Sequence, residues 1–178
     1  MKTKAISTLF LFTFLLISHG SKAQKCEVKA DPITGEQVIQ FMNKYKTLRY
    51  EYTEGQLTDF YTTFSYRGEQ NVSVLKGSEI IFKLKNGDII KLTSVDDANP
   101  QTRILETIII SNYTYHFKLT KEQIDQLASD KIALMRYPSL DGGSLDWEVK
   151  GLGKIYASKI TKGAQCLSEN LQTDIISK

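Results

Sequence analysis

The stretch EIIFKLKNGDIIKLTSV (79–95) decides the fold class, because two runs of alternating apolar and polar residues meet in it at Asn86-Gly87. Alternation with period two is typical of half-buried strands, and an Asn-Gly step is a strong hairpin signal. One face of the hairpin stays apolar only if Phe82 pairs with Ile90. That register requires a three-residue loop, 85–87, with Gly87 in the left-handed conformation. The sequence therefore predicts an antiparallel hairpin with this loop.

Period-two alternation extends through most of residues 46–137. Further runs of this kind predict strands at residues 48–53, 59–66, 70–75 and 131–137. The apolar run 104–110 predicts another strand, which a bulge near residues 111–112 can join to the alternating residues 113–119. The centre of the chain is therefore predicted to be sheet.

Two helices are predicted to accompany these strands. Thr120 and Gln123 form a capping box, which predicts a short helix over residues 121–129. Apolar residues recur at helical spacing between 152 and 171, although Gly163 lowers the helix propensity there. The predicted fold is mainly β (α+β), an antiparallel β-sandwich or curled sheet with one short crossover helix and a C-terminal helix.

Residues 1–23 have the organisation of a secretory signal peptide. Lys2 and Lys4 form a positive start, residues 5–17 are almost wholly apolar, and small residues at 21–23 provide a cleavage site. The apolar run of about 13 residues is shorter than the roughly 20 that a helix needs to cross a bilayer. We therefore predict a cleaved signal, no membrane span, and one globular domain over residues 24–178 that is periplasmic or extracellular.

Cleavage of the signal changes the charge of the protein. The full chain has a formal net charge of +3. Residues 1–23 contain three lysines and no acid, so the mature chain is neutral. A nucleic-acid partner is not predicted, because such proteins carry a marked excess of positive charge.

Cys26 and Cys166 are the two cysteines of the chain. In an oxidising compartment two cysteines predict one disulfide bond. This bond would place the N-terminal extension beside the C-terminal helix.

The mature sequence contains no catalytic, phosphate-binding or metal-binding motif, in which the chemistry requires particular residues at a fixed spacing. His116 is the one histidine that remains after cleavage, and no G-x-S-x-G nucleophile motif accompanies it. The segment Gly151-Leu152-Gly153-Lys154 lacks the spacing of a phosphate-binding loop. We therefore assign no catalytic residue, no metal site and no cofactor.

Two groups of residues are candidates for ligand binding. Trp147 lies between Asp146 and Glu148 in a glycine-rich segment, and an exposed indole beside acids can stack on a sugar while the acids hold its hydroxyls. The alternative interpretation is that this indole covers the edge of the core. Tyr50 and Tyr52 would form a second stacking platform if they share a solvent-facing surface.

Three further features invite comparison with known proteins: a lysine-led signal that ends near Ala-Gln, the hairpin FKLKNGD (82–88), and LTKEQ (119–123) before a short helix and a strand. In these features the chain resembles small exported proteins of the Bacteroidota type. The resemblance implies an exported, sheet-rich domain. It implies no catalytic residue.

These observations favour an exported, non-catalytic binding or interaction module whose ligand is a glycan or a protein. One alternative is a small hydrolase of envelope or polysaccharide polymers, which should bring acids together in a cleft and raise the pKa of at least one. Another alternative is a cell-surface structural subunit, which should present an unpaired sheet edge that accepts a strand.

Overall fold

In the computed structural model, which describes residues 25–173, the chain forms two antiparallel sheets and two helices. The larger sheet contains, in spatial order, β1 (Lys25–Ala30), β2 (Gln37–Met42), β3 (Leu48–Thr53), β4 (Thr58–Arg67), β8 (Ile108–Leu119) and β7 (Gln101–Leu105). The smaller sheet contains β10 (Ser144–Glu148), β9 (Ile132–Pro138), β5 (Glu79–Leu84) and β6 (Ile89–Thr93). The helices are α1 (Lys121–Ser129) and α2 (Leu152–Thr173). The predicted signal peptide lies outside the described residues.

One hydrophobic core joins the two sheets and the helices. Phe60 and Phe117 enter it from the larger sheet, and Ile80 and Phe82 enter it from the smaller one. Helix α2 packs against β2 and β3 of the larger sheet. The fold is therefore mainly β, with two antiparallel sheets in the manner of a β-sandwich and a C-terminal helix, as predicted.

The hairpin of β5 and β6 has the predicted register. Phe82 pairs with Ile90, and the backbone N–H of Leu84 donates to the Asp88 carbonyl at 2.9 Å. Gly87 has a φ of 100°, in the region that favours glycine. The requirement for one apolar face was therefore sufficient to predict the register.

Both helices are confirmed. The side chain of Thr120 accepts a hydrogen bond from the Gln123 backbone at 3.2 Å, and the Gln123 side chain accepts one from the Thr120 backbone at 3.0 Å. Helix α2 begins at Leu152 as expected and continues to Thr173. The capping box thus begins α1 at the residue that the sequence indicated.

The predicted single strand over residues 104–110 is wrong. The chain reverses at Glu106, which has a φ of 55°, and Leu105 of β7 pairs with Ile108 of β8. The bulge predicted near residues 111–112 is also absent, because β8 pairs with β4 in continuous register. All of β7 is exposed, with Ile104 at 72%, so this apolar hairpin extends beyond the core.

Two other parts of the sheet differ from the prediction. Strands β1 and β2 precede the region that the alternation indicated. The strand predicted at residues 70–75 is wrong, since the structure has there only an isolated bridge from Val74 to Ala98. Other backbone groups of residues 70–75 form hydrogen bonds with side chains instead. The backbone N–H of Gln70, for example, donates to Ser111 Oγ at 3.0 Å.

The two cysteines join the ends of the described chain. The sulfur atoms of Cys26 and Cys166 lie 1.97 Å apart, which connects β1 to α2 as the sequence predicted. In the part of the chain that the structure describes, neither helix is long and apolar enough to span a membrane.

Candidate functional site

Trp147 lies on β10, where it closes the edge of the core. Its ring centroid is 6.2 Å from the ring centroids of both Tyr137 and Tyr156. A Cβ atom added to Gly153 would lie 3.0 Å from the Nε1 atom of Trp147, so the indole also lies against the start of α2. These contacts favour the core-covering interpretation over an exposed stacking surface.

Asp146 and Glu148 do not gather around this indole. Successive side chains of a strand point to opposite faces, so both acids face away from Trp147. Asp146 pairs with Arg136, whose Nη2 lies 2.7 Å from Oδ2, and Glu148 pairs with Lys150. These partners lower the pKa of both carboxyl groups. The structure therefore does not bring the two acids together with Trp147, because residues 144–148 form a strand.

The condition for a platform of Tyr50 and Tyr52, a shared solvent-facing surface, is not met. Both side chains lie on the inner face of β3, since residues two apart on a strand share a face. Tyr50 is fully buried, stacks on Phe60 with ring centroids 4.5 Å apart, and donates a hydrogen bond to the Ile160 carbonyl at 3.0 Å. Burial raises the pKa of Tyr50 well above its ordinary value. Tyr52 packs at the margin of the core.

A groove of about 760 Å³ lies between α2, the end of α1 and the start of β9. Apolar side chains, including the buried Ala157 and Ile132, form part of its surface. Four lysines line it: Lys85, Lys131, Lys154 and Lys162. We refer to this groove as the lysine groove.

The charges of the lysine groove are unbalanced. Asp130 is the one acid in its lining, and its two carboxylate oxygens accept hydrogen bonds from the backbone N–H groups of Asn86, at 2.7 Å, and Lys131, at 2.6 Å. Among the described residues, no carboxylate forms an ion pair with any of the four lysines. Thr161 also lines the groove, and its buried hydroxyl has no hydrogen-bond partner among the described residues. The groove can therefore accommodate an anion without displacing an internal partner.

The lysine groove is not predictable from the sequence, because its lysines come from three separate regions of the chain. One local signal was present. Lys154, Ser158 and Lys162 are four residues apart and lie on one stripe of a helix. That stripe alone does not distinguish a binding surface from a solvated helix face.

The outer face of the larger sheet carries a second polar cluster, centred on His116. Its Nε2 lies 2.6 Å from Asp59 and its Nδ1 lies 2.6 Å from Asp96. Tyr61 stacks on the imidazole with ring centroids 4.3 Å apart, and the Arg49 guanidinium lies 4.1 Å from the Tyr61 centroid. Each ring nitrogen therefore lies within hydrogen-bond distance of one carboxylate oxygen. With both nitrogens occupied, His116 ties the sheet to the segment after β6.

Asp59 should make this cluster sensitive to acid. Partial burial favours the neutral carboxyl, but hydrogen bonds from Lys118, at 2.9 Å, and from His116 outweigh it and lower the pKa of Asp59. A lowered folded-state pKa stabilises the fold above the unfolded-state pKa of about 3.9, and that stability is lost as the pH falls through the folded-state pKa.

We therefore expect the difference in unfolding free energy between the wild type and Asp59→Asn to shrink as the pH falls below about 4. Urea unfolding at a series of pH values measures it. A difference that stays constant down to pH 3 would contradict this role of Asp59.

The hydrolase alternative predicts acids in a cleft with at least one raised pKa. Where the pKa of a carboxyl group departs clearly from its ordinary value, it is lowered, because hydrogen bonds and nearby cations outweigh burial: Asp31, Asp59, Asp125, Asp141, Asp146 and Glu148. In this part of the chain no group of three or more His, Cys, Asp or Glu side chains could hold a metal ion. The hydrolase alternative gains no support from these observations.

Comparison of the chain with protein-family models, curated proteins and solved structures finds no match.

Proposed function

We propose that the protein is an exported, non-catalytic binding module that holds an anionic ligand in the lysine groove. The observation that carries this proposal is the set of four lysines around a partly apolar groove, none of which forms an ion pair with a carboxylate of residues 25–173. Ammonium groups of like charge repel one another when they line one concavity. A bound anion would relieve that repulsion and form charge-assisted hydrogen bonds.

Export is part of the same proposal. The signal-like order of residues 1–23 supports it, and so does the short distance between the sulfur atoms of Cys26 and Cys166, because disulfides persist in oxidising compartments. The mature chain as a whole is neutral, so the lysine groove represents a local concentration of positive charge rather than a basic protein. A specific site explains such a distribution better than general affinity for polyanions does.

Binding of polyanion probes to the oxidised mature domain tests the proposal. We expect heparin to bind by calorimetry at low ionic strength, and the affinity to fall as salt is added. The double variant Lys154→Glu/Lys162→Glu should bind about tenfold or more weakly, because it replaces two attractive charges of the groove by repulsive ones.

The matched control is Lys29→Glu/Lys76→Glu, which changes the net charge equally but lies away from the lysine groove. Equal loss of affinity in the two double variants would indicate a general charge effect and would refute the site. The probe should also keep its mass after incubation. A decrease in probe length would instead support the hydrolase alternative.

A further inference from the structure

Tyr45 is an exposed aromatic residue beside the basic surface of α2. It lies in the turn between β2 and β3, and 69% of its surface is exposed. The ammonium groups of Lys159 and Lys44 lie 5.2 and 6.0 Å from its ring centroid. The ring therefore contributes little to the core, although it lies where lysines converge.

The turn that carries Tyr45 is held in place by a buried polar residue. Asn43 is 2% exposed, and its Oδ1 accepts hydrogen bonds from the backbone N–H groups of Thr47, at 2.9 Å, and Leu48, at 3.3 Å. Its Nδ2 donates to Thr47 Oγ1 at 2.8 Å. Lys46 adopts the left-handed conformation with a φ of 55°. These bonds hold the backbone that carries Tyr45, so little backbone freedom remains to be lost on binding.

A continuous basic surface connects Tyr45 to the lysine groove. A shallow depression on the outer side of α2 is lined by Lys154, Ile155, Ser158, Lys159 and Lys162. Three of these residues also line the lysine groove: Lys154, Ser158 and Lys162. With a rise of 1.5 Å per helical residue, the stripe from Lys154 to Lys162 is about 12 Å long. A ligand that crosses α2 can therefore contact the groove, Lys159 and Tyr45 together.

The combination of an aromatic ring with spaced ammonium groups selects among anions. A flat ring packs against the C–H face of a sugar, while the lysines pair with the carboxylates or sulfates that the sugar carries. Polyphosphate and acidic polypeptides offer the charges without such a face. Sites for single-stranded nucleic acid combine a basic groove with aromatic side chains on which successive bases stack, whereas this surface offers one exposed ring.

We infer that the ligand of the lysine groove is an acidic polysaccharide and that Tyr45 recognises its sugar ring. This inference rests on the proposed function, since it requires the groove to bind an anion. Tyr45 is then the residue that determines specificity for a sugar, and the lysines supply most of the affinity.

The test compares two anionic polymers with the oxidised mature domain. Oligogalacturonate carries carboxylates on sugar rings, and polyglutamate carries them without rings. Tyr45→Ala should bind oligogalacturonate about fivefold more weakly than the wild type does, as loss of one stacked ring predicts, and should bind polyglutamate unchanged. Tyr45→Phe keeps the ring and should bind both polymers as the wild type does. Because the ring is exposed, all three proteins should have the same thermal midpoint.

The outcomes separate the inference from the proposed function. Equal weakening of both polymers by Tyr45→Ala, or tighter binding of polyglutamate than of oligogalacturonate to the wild type, would overturn the inference and leave an anion-binding groove. If a single-stranded oligonucleotide binds more tightly than oligogalacturonate does, and Tyr45→Ala weakens that binding, the inferred ligand changes from a polysaccharide to a nucleic acid. If neither the two polymers nor heparin binds the wild type, the proposed function fails.

Discussion

Gly163→Ala should lower the free energy of unfolding by about 3 kcal/mol, because the added methyl group has no space. An ideal Cβ atom at Gly163 would lie 2.4 Å from Cε2 and 2.5 Å from Cδ2 of Tyr50, and 2.8 Å from Cδ1 of Phe41. Alanine is favoured over glycine within a helix by about 1 kcal/mol. The clash should outweigh this gain, since a close-packed interior cannot move aside without cost.

Tyr50 is poorly placed to yield to that methyl group. Its ring is stacked on Phe60, and its hydroxyl is bonded to the Ile160 carbonyl in the same helix that carries Gly163. A shift of the ring would break this bond or push α2 away from the sheet. Glycine is therefore required at this position by the close approach of helix and sheet.

Urea unfolding of the purified domain measures the effect. Ser158→Ala, at an exposed position of α2, is the control and should leave stability unchanged or slightly raised. In a Tyr50→Leu background, Gly163→Ala should lower the free energy of unfolding by less than it does in the wild type, because residues in contact are energetically coupled. If Gly163→Ala stabilises the protein by the helix propensity alone, the close packing of Gly163 against Tyr50 is refuted.

Removal of the disulfide bond between Cys26 and Cys166 should be the second substitution with a large effect on stability. The two residues are 140 positions apart, and in the chain-entropy model closure of a loop of this length stabilises the folded state by about 5 kcal/mol, with native strain and residual denatured structure reducing the figure. We expect Cys26→Ser/Cys166→Ser to lose a large part of that stability. β1 should loosen first, because it pairs with β2 alone in the sheet.

Denaturant unfolding with and without reductant measures this effect. The wild type should lose stability in reductant, while the double serine variant should be insensitive to it. Hydrogen exchange should show faster exchange in β1 than in β3 and β4 of the variant. Equal stability of the two proteins under oxidising conditions would contradict the contribution assigned to the link.

The elements predicted correctly are those whose chemistry is local. The capping box of Thr120 and Gln123 begins α1, and the apolar face of β5 and β6 selects one hairpin register. The reversal at Glu106 was missed because its turn contains no glycine, asparagine or aspartate, the residues that usually mark a hairpin. An apolar run is also ordinarily buried, whereas residues 104–109 form an exposed tip.

The candidate site was less predictable than the fold. Period-two alternation indicates that Tyr50 and Tyr52 share a face, but it does not indicate which face is covered, and here α2 covers it. The lysine groove forms only when a hairpin loop, the start of β9 and a helix come together, so its residues are distant in sequence. Tyr45 has no neighbour in sequence that distinguishes it from the aromatic residues of the core.

The position of α2 after all the strands of the two sheets has a consequence for biogenesis. The inner surface of β2 and β3 is covered by a helix that the ribosome adds after these strands, and β1 is linked to the same helix. A nascent chain that stops before α2 leaves Phe41 and Tyr50 without their cover, so the larger sheet cannot complete its core before α2 is made. Long-range contacts of this kind form slowly. The larger sheet should therefore stay incompletely folded until α2 has been synthesised, and an incompletely folded polypeptide is one that can be threaded through a narrow translocation channel.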